Sequence, residues 1–285
     1  NYNDSEKRTT GGKNGFGAKL ANIFSTRFEI TIIHPESKTQ YHQVFTDNMT
    51  KIEKPTMKKV TTKKGLVRVK YFPDLKRFGH TAFTDDFLKL VSRRAYDVAA
   101  CTPKKVNVHL NDVKIPIKKW EDYVDLYIGT KSEIWRIHES PNERWDVVIA
   151  PSTNDFQQIS FVNSICTSKG GSHVDSVVNP LLKKVCDELA KKVPGLKTTF
   201  IKNHMFVAVR AVLENPAFDS QIKETCTSRF NTFGSRCDLS DKFVKAFAKS
   251  PMIDDAKALA KHKEIRELNK TDGKKKHTVK GIPKL

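Results

Sequence analysis

The chain has 285 residues, 38% hydrophobic and 29% charged, enough apolar material for one large or two ordinary domains. No apolar run approaches the roughly 18 residues of a membrane span, and five cysteines without C-x-x-C spacing argue against a disulfide framework and a zinc site. The 51 Lys and Arg against 32 Asp and Glu give a net charge of +19, which fits a polyanionic partner, most often nucleic acid, although lysine-rich surfaces also simply solubilise.

The polar opening from Asn1 to Thr10 predicts a piece of a longer protein. It leads into Gly11-Gly12-Lys13-Asn14-Gly15-Phe16-Gly17-Ala18-Lys19-Leu20. Glycine lets a backbone take positive φ and approach a ligand closely. A helix starting near Ala18 would aim free N–H groups at one point, suited to phosphate or carboxylate, and Lys13 and Lys19 add positive charge. On glycine content alone a flexible surface loop is the simpler reading; the lysines and the helix favour anion binding. A P-loop is excluded, because Ala18 stands where its lysine belongs and Leu20 offers no hydroxyl for magnesium. A dinucleotide fingerprint fails at Leu20, and neither motif has its upstream strand.

Residues 28–34 (Phe-Glu-Ile-Thr-Ile-Ile-His) read as a strand with 41–45 as hairpin partner, and 65–72 as a third strand closing at Pro73. Thr84 predicts a helix cap, followed by Asp85, Asp86 and the apolar spacing Phe87, Leu88, Val91, Ala95, Val98. A hairpin is expected over 106–110 and 113–117 around Asn111-Asp112, then a helix over 120–128. After a break at Gly129-Thr130-Lys131 come strands over 133–138 and 144–150, flanking a Ser140-Pro141-Asn142-Glu143 turn. A strand over 157–165 runs into Gly170-Gly171 and a helix from Val174 to Leu189 that Pro180 should kink or restart. A strand over 205–213, a polar loop over 219–233, a Ser240-capped helix to Lys249 and a helix from Pro251 to about Asn269 complete the pattern, with 271–280 a basic linker. Strand–helix alternation in both halves predicts a mixed α/β (α+β) fold in two units, with a seam near residue 130.

Taken together, these stretches resemble the ATPase region of eukaryotic-type type IIA DNA topoisomerases. The resemblance rests on the glycine loop, Asn22-Ile23-Phe24-Ser25-Thr26, Arg93-Arg94-Ala95-Tyr96-Asp97, 156–165 (Phe-Gln-Gln-Ile-Ser-Phe-Val-Asn-Ser-Ile), Gly170-Gly171-Ser172-His173-Val174, Glu214-Asn215-Pro216, Ser220-Gln221-Ile222-Lys223-Glu224 and Gly281-Ile282-Pro283-Lys284-Leu285. It covers essentially the whole chain. It implies the end of a GHKL-type ATPase sandwich over 1–130, a β-α-β transducer domain over 131–270 and a linker over 271–285.

The resemblance further implies an ATP-lid loop made by Gly12, Lys13, Asn14, Gly15, Phe16, Gly17, Ala18 and Lys19 around the β- and γ-phosphates, with Asn1 near the ribose. Gln221, Ile222 and Lys223 correspond to a switch loop, with Lys223 meeting the γ-phosphate; on residue chemistry alone they read as a solvated loop. Lys13 stands where the family has arginine, which loses the bidentate fork, and Ile222 where it has threonine. Lys191 and Lys192 match a cluster that contacts double-stranded DNA, interrupted by Ala190. The implied protein is a homodimer using ATP and Mg2+, nuclear or else organellar, without a membrane. Its general base, magnesium ligand and cleavage tyrosine are expected outside this chain, which alone should not hydrolyse ATP above background. A non-catalytic DNA-binding or dimerisation module and a small-molecule kinase of the same ATPase class are the alternatives; the charge and the second half weaken the kinase.

Overall fold

A computed structural model describes residues 6–153, 155–190, 193 and 195–272. The described residues divide into two compact units: Gly12–Ser92, and residues 6–11 together with those from Arg93 on. The boundary lies inside a helix and does not coincide with the break in pattern at 129–131.

In the first unit, helix α1 (Phe16–Ile23) starts two residues earlier than expected. It is followed by an antiparallel sheet of β1 (Ser25–His34), β2 (Thr39–Thr46), β3 (Lys51–Ile52), β4 (Thr56–Lys59) and β5 (Leu66–Pro73). The order is β3-β2-β1-β5, with β4 also on β2. Strands β3 and β4 went unread because they are short and polar. The period of two along β1 sets Phe28, Ile30 and Ile32 opposite Tyr71, Val69 and Val67 of β5. Phe28 and Val44 are buried, whereas Val67 is 70% exposed.

Helix α2 (Asp85–Cys101) begins as expected, with the Thr84 hydroxyl accepting from the Phe87 N–H at 3.2 Å. Its apolar stripe does not become core. Phe87, Leu88, Val91 and Val98 stay exposed, while Asp97, Ala99 and Ala100 are buried, because only the last turn reaches packed residues.

The second unit is built on a five-stranded mixed sheet, after a small hairpin of β6 (His109–Leu110) and β7 (Val113–Lys114) and helix α3 (Trp120–Ile128). The hairpin is shorter than expected. Its Asn111-Asp112 turn has both residues at positive φ, the conformation a two-residue hairpin connection favours. The sheet contains β8 (Ile137–Asn142), β9 (Trp145–Pro151), β10 (Gln157–Val162), β11 (Ile165–Cys166) and β12 (Met205–Ala211), in the order β11-β10-β12-β9-β8. Helices α4 (Ser172–Leu189), α5 (Thr198–Lys202), α6 (Asp241–Phe247) and α7 (Pro251–Asp272) complete it.

Alternation along the central strands divides the core. Trp145, Val147, Ile149, Met205, Val207 and Val209 pack with α4, α6 and α7; Val148, Ala150, Phe206 and Ala208 pack with Trp120, Tyr123 and Val124 of α3. A sheet buried on both faces reads as continuous apolar runs, as β9 and β12 do.

Three expectations are corrected here. The turn expected at 140–143 is two residues later: Pro141 sits within β8, tolerated because β8 is an edge strand with a register shift between Glu139 and Asn142. The single strand expected over 157–165 is a hairpin, bent at Asn163-Ser164, both at positive φ. Asn163 stabilises that bend by exchanging side-chain hydrogen bonds with the Leu213 N–H (2.7 Å) and carbonyl (2.9 Å). Of the two effects expected of Pro180, the restart does not occur, since Pro180 lies inside one continuous helix. The Ser240 cap holds, accepting from the Phe243 N–H at 3.2 Å. Helix α7 takes in Thr271 and Asp272, and the rest of the expected linker lies outside the described residues.

Candidate functional site

The glycine loop divides by the reason each glycine is needed. A Cβ on Gly11 would lie 2.2 Å from Ile165 Cδ1 and 3.1 Å from the Asn163 carbonyl, so packing on the β10–β11 turn requires glycine there. Gly15, which precedes α1, has φ 66°, a region costly for L-residues. At Gly12 and Gly17 a Cβ meets nothing within 4 Å and φ is not left-handed, so neither crowding nor backbone conformation asks for glycine.

No side chain caps α1 and no acidic residue occupies its first turn. Its N-terminal N–H groups and dipole therefore favour an anion. Lys13, Ala18 and Lys19 are exposed along this stretch, as is Phe16.

Gln221, Ile222 and Lys223 lie in the loop after β12. Its base is stapled to the 168–172 segment: the Lys169 N–H donates to the Glu224 carbonyl, the Cys226 N–H to the Gly170 carbonyl and the Ser172 N–H to the Cys226 carbonyl, each at 3.0 Å. A Cβ on Gly171 would come within 2.2 Å of the Cys226 carbonyl oxygen. Lys169 pairs with Glu224 at 2.7 Å, which holds the Glu224 carboxyl below its ordinary range. The Thr225 contacts of Asp219 lower its carboxyl in the same way. On this base Gln221 and Ile222 project into solvent, Ile222 78% exposed. Lys223 is half-buried at φ 65°, and its ammonium donates to the Gly11 carbonyl at 3.0 Å. This bond joins Lys223 to Gly11, the first residue of the glycine loop, 212 positions away.

The segment ending at Gly11 is tied down at further points. The Asn215 side-chain oxygen accepts from the Arg8 N–H (3.2 Å) and Nε (3.3 Å), and its Nδ2 donates to the Glu6 carbonyl (3.1 Å). The Asn215 N–H donates to the Arg8 carbonyl at 2.8 Å. Glu214 pairs with Lys7 at 3.2 Å and Arg144 at 3.1 Å. These contacts, and the acceptor role of Gly11, escaped the sequence reading, because pairing across some two hundred residues leaves no local pattern. The Glu214-Asn215-Pro216 motif was the available signal.

Asn1, Lys191 and Lys192 lie outside the described residues. On α4 and α6, Lys184 pairs with Asp241 at 2.7 Å. No group of three His, Cys, Asp or Glu side chains suited to a metal ion occurs among the described residues. No helix among them is long and apolar enough to cross a membrane.

Residues 120–278 match the family model described as DNA gyrase B. The chain is similar to DNA topoisomerase 2 of Arabidopsis thaliana, 43% identical over 96% of this chain and 19% of that protein. It is likewise similar to DNA topoisomerase 2 of Drosophila melanogaster, 44% identical over all of this chain and 20% of that protein. The chain thus spans about a fifth of the length of these curated relatives. Among solved structures, the ATPase region of Saccharomyces cerevisiae topoisomerase II superposes with a TM-score of 0.83 at 37% identity, over 91% of this chain and 68% of that one. The ATPase and transducer domains of DNA topoisomerase II from Balamuthia mandrillaris superpose with a TM-score of 0.86 at 35% identity, over 93% and 68%.

Proposed function

The chain belongs to the DNA gyrase B family, in its eukaryotic topoisomerase II branch, and from this premise we propose that it is part of the ATP-operated gate of a type II DNA topoisomerase. In this reading 1–130 close an ATPase domain, 131–270 form the transducer and 271–285 lead on as a linker. The observation that supports the proposal is the bond from the Lys223 ammonium to the Gly11 carbonyl.

The residues present fit a triphosphate. Gly12 and Gly17 leave room for a phosphate oxygen to approach the backbone, and the uncapped start of α1 supplies N–H groups and positive potential. Lys223 then acts as a point charge that exchanges the Gly11 carbonyl for the γ-phosphate. Only the triphosphate supplies that anion, so ATP favours one state of the switch loop and its loss favours the other. Gln221 and Ile222 flank this lysine, and Asn1 contributes near the ribose. Mg2+ is proposed to be held by residues outside this chain.

Double-stranded DNA is the proposed substrate of the whole protein, contacted through phosphates by Lys191 and Lys192, and a homodimer is its proposed working form. Its proposed compartment is the nucleus, with an organelle as the alternative. The test is a chimera in which this chain replaces the corresponding region of the yeast relative. The chimera is expected to relax supercoiled DNA only with ATP; a stably folded chimera that cleaves DNA but passes no strand would overturn the proposal.

A further inference from the structure

A cavity of about 280 Å³ opens in the second unit, where the start of α3 meets β8, β9, β12 and the loop after α2. Lys104, Lys118 and Lys119 line it, and among the described residues their ammonium groups have no ion-pair partner. Of the two carboxylates in the cavity lining, Asp146 is already engaged. One oxygen of Asp146 takes His138 Nε2 and the Ser140 hydroxyl, both at 2.6 Å, and the other takes Arg210 at 2.5 Å. Glu121 lies 3.4 Å from His138 Nδ1. Arg210 spends a second N–H on the Ala100 carbonyl at 3.1 Å.

A second, independent feature is Trp120. It lines the same cavity and is 3% exposed, yet its indole Nε1 has no acceptor. The ring is held by stacking on Tyr123 (5.6 Å between centroids) and edge contact with Phe161 (5.7 Å). The indole of Trp145, by contrast, donates to the Ser235 hydroxyl at 2.9 Å. A buried donor without an acceptor is destabilising. What the cavity has left over is therefore donors and positive charge.

We propose that this cavity binds a small phosphate-bearing anion, free or at the end of a small molecule, through the Trp120 N–H and the Lys104, Lys118 and Lys119 ammoniums. The site is separate from the proposed nucleotide site, since its lining includes neither the glycine loop nor Lys223. Binding there ties the start of α3 to the loop after α2.

The chain's three tryptophans allow a direct test. In nitrogen-correlation spectra of the whole isotope-labelled chain, inorganic phosphate titrated at constant ionic strength should move the Trp120 indole signal saturably and leave those of Trp135 and Trp145 in place. Pyrophosphate, run in parallel, should move the same signal, and tighter saturation would mark a polyphosphate ligand. Charge reversal of the two exposed lysines (K118E with K119E) should abolish the response, with an unchanged Trp145 signal reporting an intact fold. The variant Lys223→Ala should keep the response, which separates this test from the nucleotide proposal. No movement, an unsaturable drift shared by all three indoles, or a response that survives charge reversal would overturn the proposal.

Discussion

Alanine at Gly17 should separate folding from function. Gly17 sits in the first turn of α1, where an added Cβ meets no atom within 4 Å. In a helix, alanine is favoured over glycine by up to about 1 kcal/mol, and at Gly12 the loss of unfolded-chain freedom should contribute about 0.4–1 kcal/mol. Stability should therefore hold or rise slightly, a change of up to about 4 °C in Tm for a chain this size. Nucleotide use should move the other way. A methyl group at either position displaces a phosphate oxygen from a backbone N–H, and a hydrogen bond to a charged group is worth about 1.5–3 kcal/mol. That loss corresponds to about 10- to 150-fold in turnover. Denaturant unfolding of the chain and ATP turnover of the yeast chimera measure the two sides. Unchanged turnover in both variants would refute the reasoning, because these glycines would then have no ligand to admit; clear destabilisation would refute the open space around them.

Gly171→Ala should behave oppositely, destabilising the chain by about 3 kcal/mol or more, because its Cβ would strike the Cys226 backbone at φ 130°; a melting temperature equal to wild type would contradict this. Removing the Asn215 side chain (N215A) takes away three hydrogen bonds to Glu6 and Arg8, and at this exposed site should cost about 1–2 kcal/mol. Amide exchange over residues 6–11 should then rise while β9 and β12 stay protected. Burial pushes the Asp146 carboxyl up, but hydrogen bonds from His138 and Ser140 and the charge of Arg210 outweigh it and hold the carboxyl below its ordinary 3.8. A depressed carboxyl contributes stability that is full above that ordinary value and is lost as pH falls through the folded-state value. Acid unfolding of Asp146→Asn should accordingly be shallower below about pH 4; an identical profile would remove Asp146 from the account.

The parts legible in the sequence were those written in local pattern. The caps at Thr84 and Ser240, the span of α3 and the apolar runs of β9 and β12 follow from hydrogen bonding and hydrophobic pattern within a few residues. Errors arose where tertiary context overrode local rules. Pro141 reads as a turn former, yet an irregular edge strand accepts it. Asn163-Ser164 looks like strand until Asn163 finds the Leu213 backbone. The stripe of α2 has helical spacing, but spacing cannot say whether anything covers it.

The candidate site was legible in a similarly divided way. The glycine loop announced itself by composition, and its role came through resemblance to a family. That Gly11 serves packing, Gly15 conformation and Gly12 and Gly17 neither is visible only with neighbours in place. The Lys223 contact and the Asn215 anchorage join residues more than two hundred apart, where no periodicity operates.

The central claim, that Lys223 is a switch residue for the γ-phosphate, is tested most directly by Lys223→Ala in the yeast chimera, with ATP turnover and DNA cleavage measured on the same preparation. Losing one charge-assisted contact of about 1.5–3 kcal/mol should lower ATP turnover by about 10- to 150-fold while DNA cleavage stays near the parent level. ATP turnover equal to the parent chimera would contradict the account and leave the Lys223–Gly11 bond a purely structural contact.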